Sequence, residues 1–152
     1  IEKGDLVLLD FGCRVEGYCS DLTRTVVIGP ASNEHHERYD LVLVAQRAGI
    51  EALRTGAPAS EVDAAARSVL DTHDIGRSFG HGLGHGVGLD IHEAPRLNRD
   101  SSDTLVDGDV VTIEPGIYDI GWGGIRTEDC ATVTSAGVEV LGAAPKDRLI
   151  EL

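Results

Sequence analysis

The chain is organised around one glycine- and histidine-rich segment, Phe79-Gly80-His81-Gly82-Leu83-Gly84-His85-Gly86-Val87-Gly88-Leu89-Asp90-Ile91-His92-Glu93-Ala94-Pro95. Three of the six histidines lie in it, and every even position from 80 to 88 is glycine. Side chains alternate between two faces in a β-strand, so this pattern predicts a strand with one face of bare backbone. A glycine face inside a strand indicates close approach by another backbone or by a ligand. The opposite face would carry His81, Leu83, His85, Val87 and Leu89.

The charge balance restricts the kinds of partner that the chain can have. Its 152 residues include 26 acidic and 13 basic side chains, which gives a formal net charge of −13. Nucleic acid and anionic membrane surfaces both repel such an excess, so neither is expected as a partner. Bound cations would neutralise part of the negative charge.

Length and cysteine content set the broad class. With 41% hydrophobic residues the chain can bury a core, and its length fits one globular domain or part of one. Cys13, Cys19 and Cys130 are an odd number without metal-site spacing, which predicts reduced thiols and a cytoplasmic location. The sequence starts at Ile1, contains no Met and enters a strand-like run almost at once, so we expect a fragment or a processed product.

The first 28 residues predict a β-hairpin, with strands over 5–15 and 18–28 joined by a two-residue turn at Glu16-Gly17. In such a hairpin the numbers of opposed residues sum to 33, so Asp10 faces Thr23. Asp10 and Asp21 then become diagonal neighbours on one face. Their like charges repel unless a cation lies between them.

Two helices are expected next. Ser32 can cap the first, which would end near Thr55-Gly56, and Ser60-Glu61-Val62-Asp63 is a capping-box variant that would open the second. The predicted buried positions are Leu41, Val44, Ala45, Ala48, Ala52 and Leu53 in the first helix and Val62, Ala65, Ala66, Val69 and Leu70 in the second. We interpret His35, His36 and His73 as surface residues.

Several strands should complete the chain after a polar loop over 98–104. We expect strands over 110–114, over 124–133 and over 138–141, the first of which stops at Pro115-Gly116. A hairpin, two helices and further strands predict an α+β fold with the helices grouped on one side of an antiparallel sheet.

The chemistry of the chain is indicated by a set of acidic residues and one histidine at strand positions. Glu114 ends an apolar strand. Glu128 follows Arg126 by two residues, so the side chains of Arg126 and Glu128 would share a face. The full set is Asp10, Asp21, His85, Glu114 and Glu128, each of which we expect to point inward. Four converging carboxylates repel strongly unless two divalent cations cancel their charge. Oxygen-rich ligation with one imidazole suits Mn²⁺, Co²⁺, Fe²⁺ or Zn²⁺, and paired metals of this kind support amide hydrolysis.

Five motifs, in their order along the chain, resemble those of the pita-bread metallopeptidases. They are Asp10-Phe-Gly, Ser20-Asp21-Leu-Thr-Arg-Thr25, the segment from His81 to Pro95, Thr112-Ile-Glu114-Pro-Gly and Gly124-Ile-Arg126-Thr-Glu128-Asp. The resemblance extends over essentially the whole chain, and it is greatest to bacterial Xaa-Pro dipeptidases (prolidases) and Xaa-Pro aminopeptidases. It implies a pita-bread fold, in which helices cover a curved antiparallel sheet, and it implies specificity for proline.

The resemblance also implies a role for each metal-ligating residue. Asp10 would chelate one metal, His85 and Glu114 would bind the other, and Asp21 and Glu128 would bridge both. A water between the metals would be the nucleophile, with Glu114 as its proton acceptor and shuttle. The cofactors implied are two divalent ions, with Mn²⁺ favoured over Co²⁺, Zn²⁺ and Fe²⁺.

Three further residues receive roles around the metals by the same resemblance. His92 would hydrogen-bond the substrate and steady the tetrahedral intermediate, and His81 would line the pocket near the proline side of the substrate. Arg126 would hold a metal-ligating carboxylate in place.

Members of the family have additional structure before the first aspartate ligand. They have further helices, a strand with another substrate-binding histidine and often a separate N-terminal domain, none of which matches residues 1–152. The resemblance therefore implies that residues 1–152 form the C-terminal portion of the catalytic domain. We expect the remaining part of the same protein as a partner, a homodimer by analogy, and little or no activity from this chain alone.

Three alternative functions remain open at this point. A methionine aminopeptidase would share the metal ligands, although the His81-xxx-His85 spacing and the run Glu114-Pro-Gly-Ile-Tyr118 favour the proline-directed enzymes. A pita-bread module that only binds peptides or partner proteins, and creatinase-like chemistry without metal, are both disfavoured because no ligand is missing.

Overall fold

The computed structural model describes residues 1–73 and 75–152, which form two helices and a set of short strands. The helices are α1 (Asn33–Ala52) and α2 (Ala59–Asp71). The strands are β1 (Leu6–Phe11), β2 (Arg14–Val15), β3 (Tyr18–Cys19), β4 (Leu22–Val27), β5 (Gly84–Gly86), β6 (Glu93–Leu97), β7 (Val110–Ile113), β8 (Gly116–Asp119), β9 (Gly123–Arg126), β10 (Asp129–Thr134), β11 (Gly137–Leu141) and β12 (Ile150–Glu151). The predicted α+β class is confirmed.

Two sheets carry most of the described structure. One has five strands in the order β11-β10-β7-β5-β6, and the other has three in the order β1-β4-β12. The pairs β2–β3 and β8–β9 form two small ribbons. A backbone bridge between Thr23 and Glu128 joins the two larger sheets, so residues that lie at this junction come from both of them.

The N-terminal hairpin has the register that its turn predicts. Asp10 faces Thr23 and Arg14 faces Cys19, and both pairs of numbers sum to 33. Glu16 and Gly17 both have positive φ angles, 52° and 95°, which a two-residue turn of this kind requires. The prediction is confirmed, with one difference: each long strand is interrupted, so β1 and β4 are separated from β2 and β3.

The tip of this hairpin contacts the loop that follows the glycine-rich segment. The Cys19 amide donates to the Gly88 carbonyl at 2.8 Å, and the Arg14 guanidinium donates to the Leu89 carbonyl. The loop that leads to His92 is therefore bonded to the hairpin.

Helix α1 begins where Ser32 predicts. The Ser32 hydroxyl accepts from the His35 amide, and the Ser32 amide donates to the His35 imidazole, which completes a capping box. The helix ends at Ala52, a few residues before the predicted end.

The predicted buried stripe of α1 is partly wrong. Val44 is exposed, whereas Tyr39, Val42, Leu43, Ala45, Gln46 and Gly49 are buried. The contact face was not recognisable from hydrophobicity because it includes Gln46 and Gly49. A Cβ at Gly49 would lie 3.0 Å from Leu83 and 3.1 Å from Ile113, so this glycine lets the helix approach the sheet closely.

The predicted cap of α2 is wrong. The helix begins at Ala59 after Pro58, and no side chain caps it. Asp63 is instead fully buried and forms a bidentate ion pair with Arg67, one helical turn later. Arg67 also donates to the carbonyls of Phe79 and His81, so the pair ties α2 to the glycine-rich segment. The predicted core positions Val62, Ala66 and Leu70 are buried.

The glycine-rich segment forms a shorter strand than predicted. Only Gly84–Gly86 is a strand, and Leu89 lies exposed beyond it. The close backbone approach is confirmed: a Cβ at Gly84 would lie 1.9 Å from the Thr112 carbonyl oxygen, and one at Gly86 would lie 2.1 Å from the Ala94 carbonyl oxygen. Neighbouring backbones therefore occupy the glycine face, and β5 fits between β6 and β7.

The predicted strand over 124–133 is two strands. β9 ends at Arg126 and pairs with β8, while β10 begins at Asp129 and pairs with β7. Glu128 is therefore not in mid-strand as expected but lies in the break between them. The strands over 110–114 and 138–141 are confirmed as β7 and β11, with Glu114 directly after β7.

Helices and sheets share one core. Buried aliphatic residues of α1 and α2 pack against Leu83, which directly precedes β5, and against residues of β7 and β10, among them Val42, Leu70, Ile113 and Val133. In the described ranges, no helix combines the length and the apolar character needed to cross a lipid bilayer.

Candidate metal centre

The five predicted metal ligands come from five separate segments that meet at the junction of the two large sheets. Asp10 is near the end of β1 and Asp21 directly precedes β4. His85 is the middle residue of β5, Glu114 directly follows β7, and Glu128 lies between β9 and β10. All but His85 lie at or just beyond the ends of their strands, where the backbone ladder stops and side chains turn into the junction.

The ligand atoms of these residues form two overlapping clusters. Asp10, Asp21 and Glu128 form one, and His85, Glu114 and Glu128 form the other, with the atoms of each cluster within 4.8 Å of one another. Asp21 also belongs to a third group, with His85 and His92. Glu128 and Asp21 are thus the two carboxylates shared between clusters, which are the positions predicted to bridge two ions.

Burial differs among the five residues. Glu128 is 2% exposed and His85 is 7% exposed, whereas Asp21 and Glu114 are half-buried. The Asp10 carboxylate lies in the cluster with those of Asp21 and Glu128, but the residue is exposed. It is exposed because β1 lies at the edge of its sheet.

Burial and the crowding of carboxylates raise the pKa values of two of them. Burial, together with the nearby Glu114 and Asp21 charges, raises the pKa of Glu128 to about 8. Burial and the Asp10 charge also raise the pKa of Asp21. Both directions are those expected for carboxylates brought together without a compensating cation.

His85 is oriented for metal binding through Nε2. Its Nδ1 is 3.0 Å from the Gly86 carbonyl oxygen, which can only accept, so Nδ1 donates there and Nε2 is the ring nitrogen directed at the carboxylates. Nε2 lies 3.2 Å from Glu114 and 3.7 Å from Asp21. Burial lowers the pKa of His85, but the hydrogen bond and charge of Glu114 outweigh it and the pKa is raised.

Glu114 is held by neighbours on both sides. The Thr112 hydroxyl donates to Glu114 at 3.0 Å and accepts from the His85 amide at 3.0 Å. Burial raises the pKa of Glu114, but the bonds from His85 and Thr112 outweigh this, and the net shift is downward. Glu114 is therefore ionised at neutral pH, as a ligand or a proton acceptor must be.

Arg126 connects the two clusters. Its guanidinium forms an ion pair with Asp10, and its Nε lies 3.8 Å from Glu114 and 3.1 Å from the Thr23 hydroxyl. It also donates to the Tyr118 hydroxyl at 2.7 Å. One arginine thus contacts a carboxylate of each cluster.

Two histidines predicted to contact substrate lie beside the clusters. His81 donates from Nδ1 to the Gly82 carbonyl at 2.8 Å, and its Nε2 is buried with no hydrogen-bond partner in the described structure. Burial lowers the pKa of His81, so its ring is a neutral acceptor. His92 is exposed, and its ring centroid lies 4.4 Å from that of His85.

Three neutral residues of the site were not predicted from sequence. The Thr23 hydroxyl donates to Glu128, Thr112 positions Glu114, and Tyr118 accepts from Arg126. The signal for the threonines was their spacing, since each lies two residues after or before a ligand and therefore on the same strand face.

The residues present fit a pair of divalent cations. Carboxylate oxygens together with Nε2 of one imidazole form a donor set that borderline and hard divalent ions accept. Two overlapping clusters that share Glu128 provide places for two ions, and the charge of these ions would offset the burial and repulsion that raise the Glu128 pKa.

Comparisons with known proteins identify the family that this chain resembles. Residues 1–135 match the model of metallopeptidase family M24. The Xaa-Pro dipeptidase of Pyrococcus furiosus is 43% identical over 149 residues, which are 98% of this chain and 43% of that protein. The structure of an Xaa-Pro dipeptidase from Bacillus anthracis is 48% identical with a TM-score of 0.96, covering 100% of this chain and 42% of that one. An X-Pro aminopeptidase from Thermotoga maritima is 37% identical with a TM-score of 0.95, covering 100% and 43%.

These similarities confirm the pita-bread fold. The chain spans about 43% of the length of the curated relatives that it matches. The family model covers most of the chain, and the relatives share its fold throughout. The chain therefore belongs to metallopeptidase family M24, as its five motifs predict.

Proposed function

We propose that this chain supplies the dinuclear metal centre of an enzyme that hydrolyses Xaa-Pro peptide bonds. The observation that carries the proposal is the convergence of five side chains from five segments into two overlapping clusters of ligand atoms. Asp10 would hold one ion, His85 and Glu114 the other, and Asp21 and Glu128 both. Membership of a metallopeptidase family supports peptide hydrolysis as the reaction.

When bound, a pair of divalent cations supplies Lewis acidity and lowers the pKa of a water to near neutral. Glu114, whose pKa is lowered, would accept the proton of the attacking water and return it to the leaving amine. Arg126 would keep Asp10 and Glu114 in their binding orientation, because it contacts both.

The two flanking histidines are suited to bind the peptide. His81 presents a buried, unpartnered Nε2 that can accept a hydrogen bond, and we assign it to the proline side of the substrate. His92 is exposed beside His85, where it would bond the substrate and steady the tetrahedral intermediate. Two substitutions test these roles. His81→Ala should raise KM, because His81 is assigned to substrate binding, and His92→Ala should lower kcat, because His92 is assigned to the tetrahedral intermediate.

Proline specificity and metal identity rest on different arguments. The relatives named above are Xaa-Pro dipeptidases and an X-Pro aminopeptidase, which supports an Xaa-Pro substrate of dipeptide or peptide length. The carboxylate-rich donor set favours Mn²⁺, with Co²⁺, Zn²⁺ and Fe²⁺ as alternatives.

The extent of the chain bears on its activity. Because it spans about 42% of a dipeptidase with the same fold, we propose that residues 1–152 correspond to the C-terminal portion of the catalytic domain in such enzymes. The remaining portion would then be a partner of this chain, and the chain alone would be a weak peptidase. A homodimer and a cytoplasmic location stay predictions.

Calorimetric titration of the purified chain with Mn²⁺ and with Co²⁺ tests the metal centre. We expect two ions per chain; one ion or none would contradict the proposal.

Substrate assays of the metal-loaded chain test the reaction. They compare Xaa-Pro dipeptides, longer Xaa-Pro peptides and Met-peptides, with the chain alone and with a polypeptide that carries the remaining portion of a relative. We expect Xaa-Pro cleavage that is weak alone and rises with the added polypeptide. Met-peptide cleavage without Xaa-Pro turnover would favour a methionine aminopeptidase, and metal binding without turnover in either mixture would favour a binding module.

A further inference from the structure

A buried polar network lies directly behind the metal centre, and none of its members is a metal ligand in the clusters described. It consists of Arg24, Gln46, Asp129 and Lys146, and we refer to it as the Asp129 network. Asp129 is 3% exposed although it follows the ligand Glu128 in sequence. Its carboxylate accepts from Arg24 at 2.6 Å and from Gln46 at 3.1 Å, and it forms an ion pair with Lys146.

Gln46 contacts the backbone beside both glutamate ligands. This fully buried residue of α1 donates from Nε2 to the Ile113 carbonyl at 3.0 Å and to the Thr127 carbonyl at 3.3 Å. Ile113 directly precedes Glu114, and Thr127 directly precedes Glu128. One amide group therefore spans the two chain segments that carry these ligands. Lys146 holds the other end of the amide, since it donates to Gln46 Oε1 at 2.8 Å.

Arg24 contacts the same region from β4. Its Nη1 donates to the Glu128 carbonyl at 2.5 Å and to the Thr23 carbonyl at 2.8 Å. Thr23 in turn donates its hydroxyl to the Glu128 carboxylate and accepts the Glu128 amide at its carbonyl. Arg24 thus holds the bridge that joins the two sheets at the position of the shared ligand.

The sheet alone does not fix these segments. Ile113 and Asp129 form the last pair of the β7–β10 ladder, so Glu114 and Glu128 lie just beyond regular strand pairing. Backbone groups that leave a ladder inside a protein need other partners. Here the Asp129 network provides them through Arg24 and Gln46, whose side chains are buried and therefore restricted in conformation.

We propose that the Asp129 network sets the separation of Glu114 and Glu128 and thereby the affinity of the centre for its second metal ion. This inference rests on the proposed metal centre and adds positioning residues to it. Residues that orient metal ligands without contacting the metal typically change metal affinity about 10- to 100-fold when substituted.

The substitution Asp129→Asn tests the inference, because it keeps the shape of the side chain but removes the charge that Arg24 and Lys146 share. Calorimetric titration with Mn²⁺ should show the weaker of two binding steps reduced by about 10- to 100-fold. The visible absorption spectrum of the Co²⁺-loaded chain should also change, since it reports the geometry of the ligands. The unfolding midpoint in urea is measured in parallel.

Leu70→Ala serves as the matched control for lost stability. Leu70 is fully buried in α2 and belongs to the apolar core, not to the network. Its truncation should lower the unfolding midpoint while leaving both Mn²⁺ affinities and the Co²⁺ spectrum unchanged. Equal losses of affinity in both variants would reduce the network to a general stabilising role and overturn the inference.

Lys146→Met provides a milder variant if Asp129→Asn does not fold, since the Lys146 side chain is 24% exposed. It should weaken the same binding step in the same direction. Unchanged Mn²⁺ affinities and an unchanged Co²⁺ spectrum in the folded variant would overturn the inference while the unsubstituted chain still bound two ions. Failure of the unsubstituted chain to bind two ions would instead overturn the proposed metal centre itself, and this inference with it.

Discussion

At the scale of single residues, Glu128 has a side chain that lowers the stability of the metal-free chain but suits the binding of a cation. It is almost fully buried and close to two other acidic side chains, so its ionised form is disfavoured in the metal-free chain. Its two neutral neighbours, Thr23 and the backbone of the junction, hold it in place but do not neutralise it. The residue is therefore poorly suited to stability and well suited to bind a cation.

Glu128→Gln should separate these two properties. The amide oxygen can still accept from Thr23, and no charge remains to be buried. Above about pH 8 we expect the metal-free variant to gain on the order of 1 kcal/mol in the free energy of unfolding. We also expect its affinity for the second ion to fall more than about 100-fold. This loss exceeds the usual effect of substituting a residue that only orients a metal ligand. Urea unfolding and calorimetry measure the two effects.

Glu139→Gln is the control for the removal of a carboxylate in general. Glu139 is exposed in β11, so its substitution should change stability by less than about 0.5 kcal/mol and leave metal binding intact. A Glu128→Gln chain that bound two ions normally would remove Glu128 from the ligand set.

The same residue predicts how the stability of the metal-free chain depends on pH. The folded pKa of Glu128, about 8, lies above its ordinary value of 4.5, so the folded chain binds more protons between these values. Its contribution to stability is complete below about pH 4.5 and is lost as the pH rises through about 8. His85, whose pKa is also raised, shifts stability in the same direction.

Urea unfolding in the presence of a chelator, at about pH 7 and about pH 8.5, measures this effect. We expect the free energy of unfolding to fall by about 1 kcal/mol between them. Saturating Mn²⁺ should abolish the fall, because bound cations keep Glu128 ionised. Constant or rising stability without metal over this interval would contradict the raised pKa.

At the scale of elements, strand β5 shows why the glycines alternate. The strand lies between β6 and β7, and neighbouring carbonyl oxygens occupy the places where side chains would start. The other face presents His85 to the clustered carboxylates of the proposed metal centre. The glycine pattern is thus the means by which a histidine is placed in the middle of a sheet that is tightly paired on both sides.

Gly84→Ala and Gly80→Ala form a matched pair that tests this interpretation. A Cβ at position 84 would overlap the Thr112 carbonyl, whereas one at position 80 meets nothing within 4 Å. We expect Gly84→Ala to destabilise the chain by more than about 3 kcal/mol or to prevent folding, and Gly80→Ala to change stability by less than about 0.5 kcal/mol. Urea unfolding of both variants measures these changes in stability. Equal unfolding midpoints would show that the nearby Thr112 backbone does not restrict the side chain at position 84.

The elements also show which structural features the sequence could predict. The register of the first hairpin was predictable because a two-residue turn leaves one alignment, and this places Asp10 against Thr23. The buried face of α1 was not, because Gln46 is buried for its hydrogen bonds and Gly49 for its small size. Asp63 has the position of a capping residue but is buried with Arg67, a pairing that no hydrophobic pattern indicates.

The candidate site was predictable to a similar degree. The acidic residues and His85 stood out because charges at strand positions need a reason, and the structure brings them together. The break at Glu128 was not predictable, since residues 124–133 have the composition of one continuous strand. Thr23, Thr112 and the Asp129 network were not recognised either, because their roles depend on contacts between distant segments.

At the scale of the whole molecule, the proposed metal centre lies where two sheets meet. Asp10 lies in β1 and Asp21 directly precedes β4, whereas His85 lies in β5 and Glu114 directly follows β7. A cation bound by residues of both sheets would therefore link them. Metal binding should stabilise the fold as a whole, not only the loops that carry the ligands.

Hydrogen exchange of the chain with Mn²⁺ and with chelator tests this prediction. A single site occupied at about 100 times its dissociation constant adds about 2.7 kcal/mol to the free energy of unfolding. Slowly exchanging amides of both β4 and β10 should gain protection together, and the thermal midpoint should rise. Protection confined to the ligand-bearing loops would show that the two sheets unfold independently of the centre.

The bonds between the hairpin tip and the segment around Gly88 have a consequence for motion. Loops that carry binding residues often move on faster timescales than the sheets beside them. Here Cys19 and Arg14 bond the backbone just before His92, so that loop and the N-terminal hairpin form one mechanical unit. Any displacement that brings His92 towards a peptide must either carry the hairpin with it or first break these bonds. The four strand residues of β2 and β3, which lie about 70 residues earlier in the sequence, consequently limit how far the loop can move.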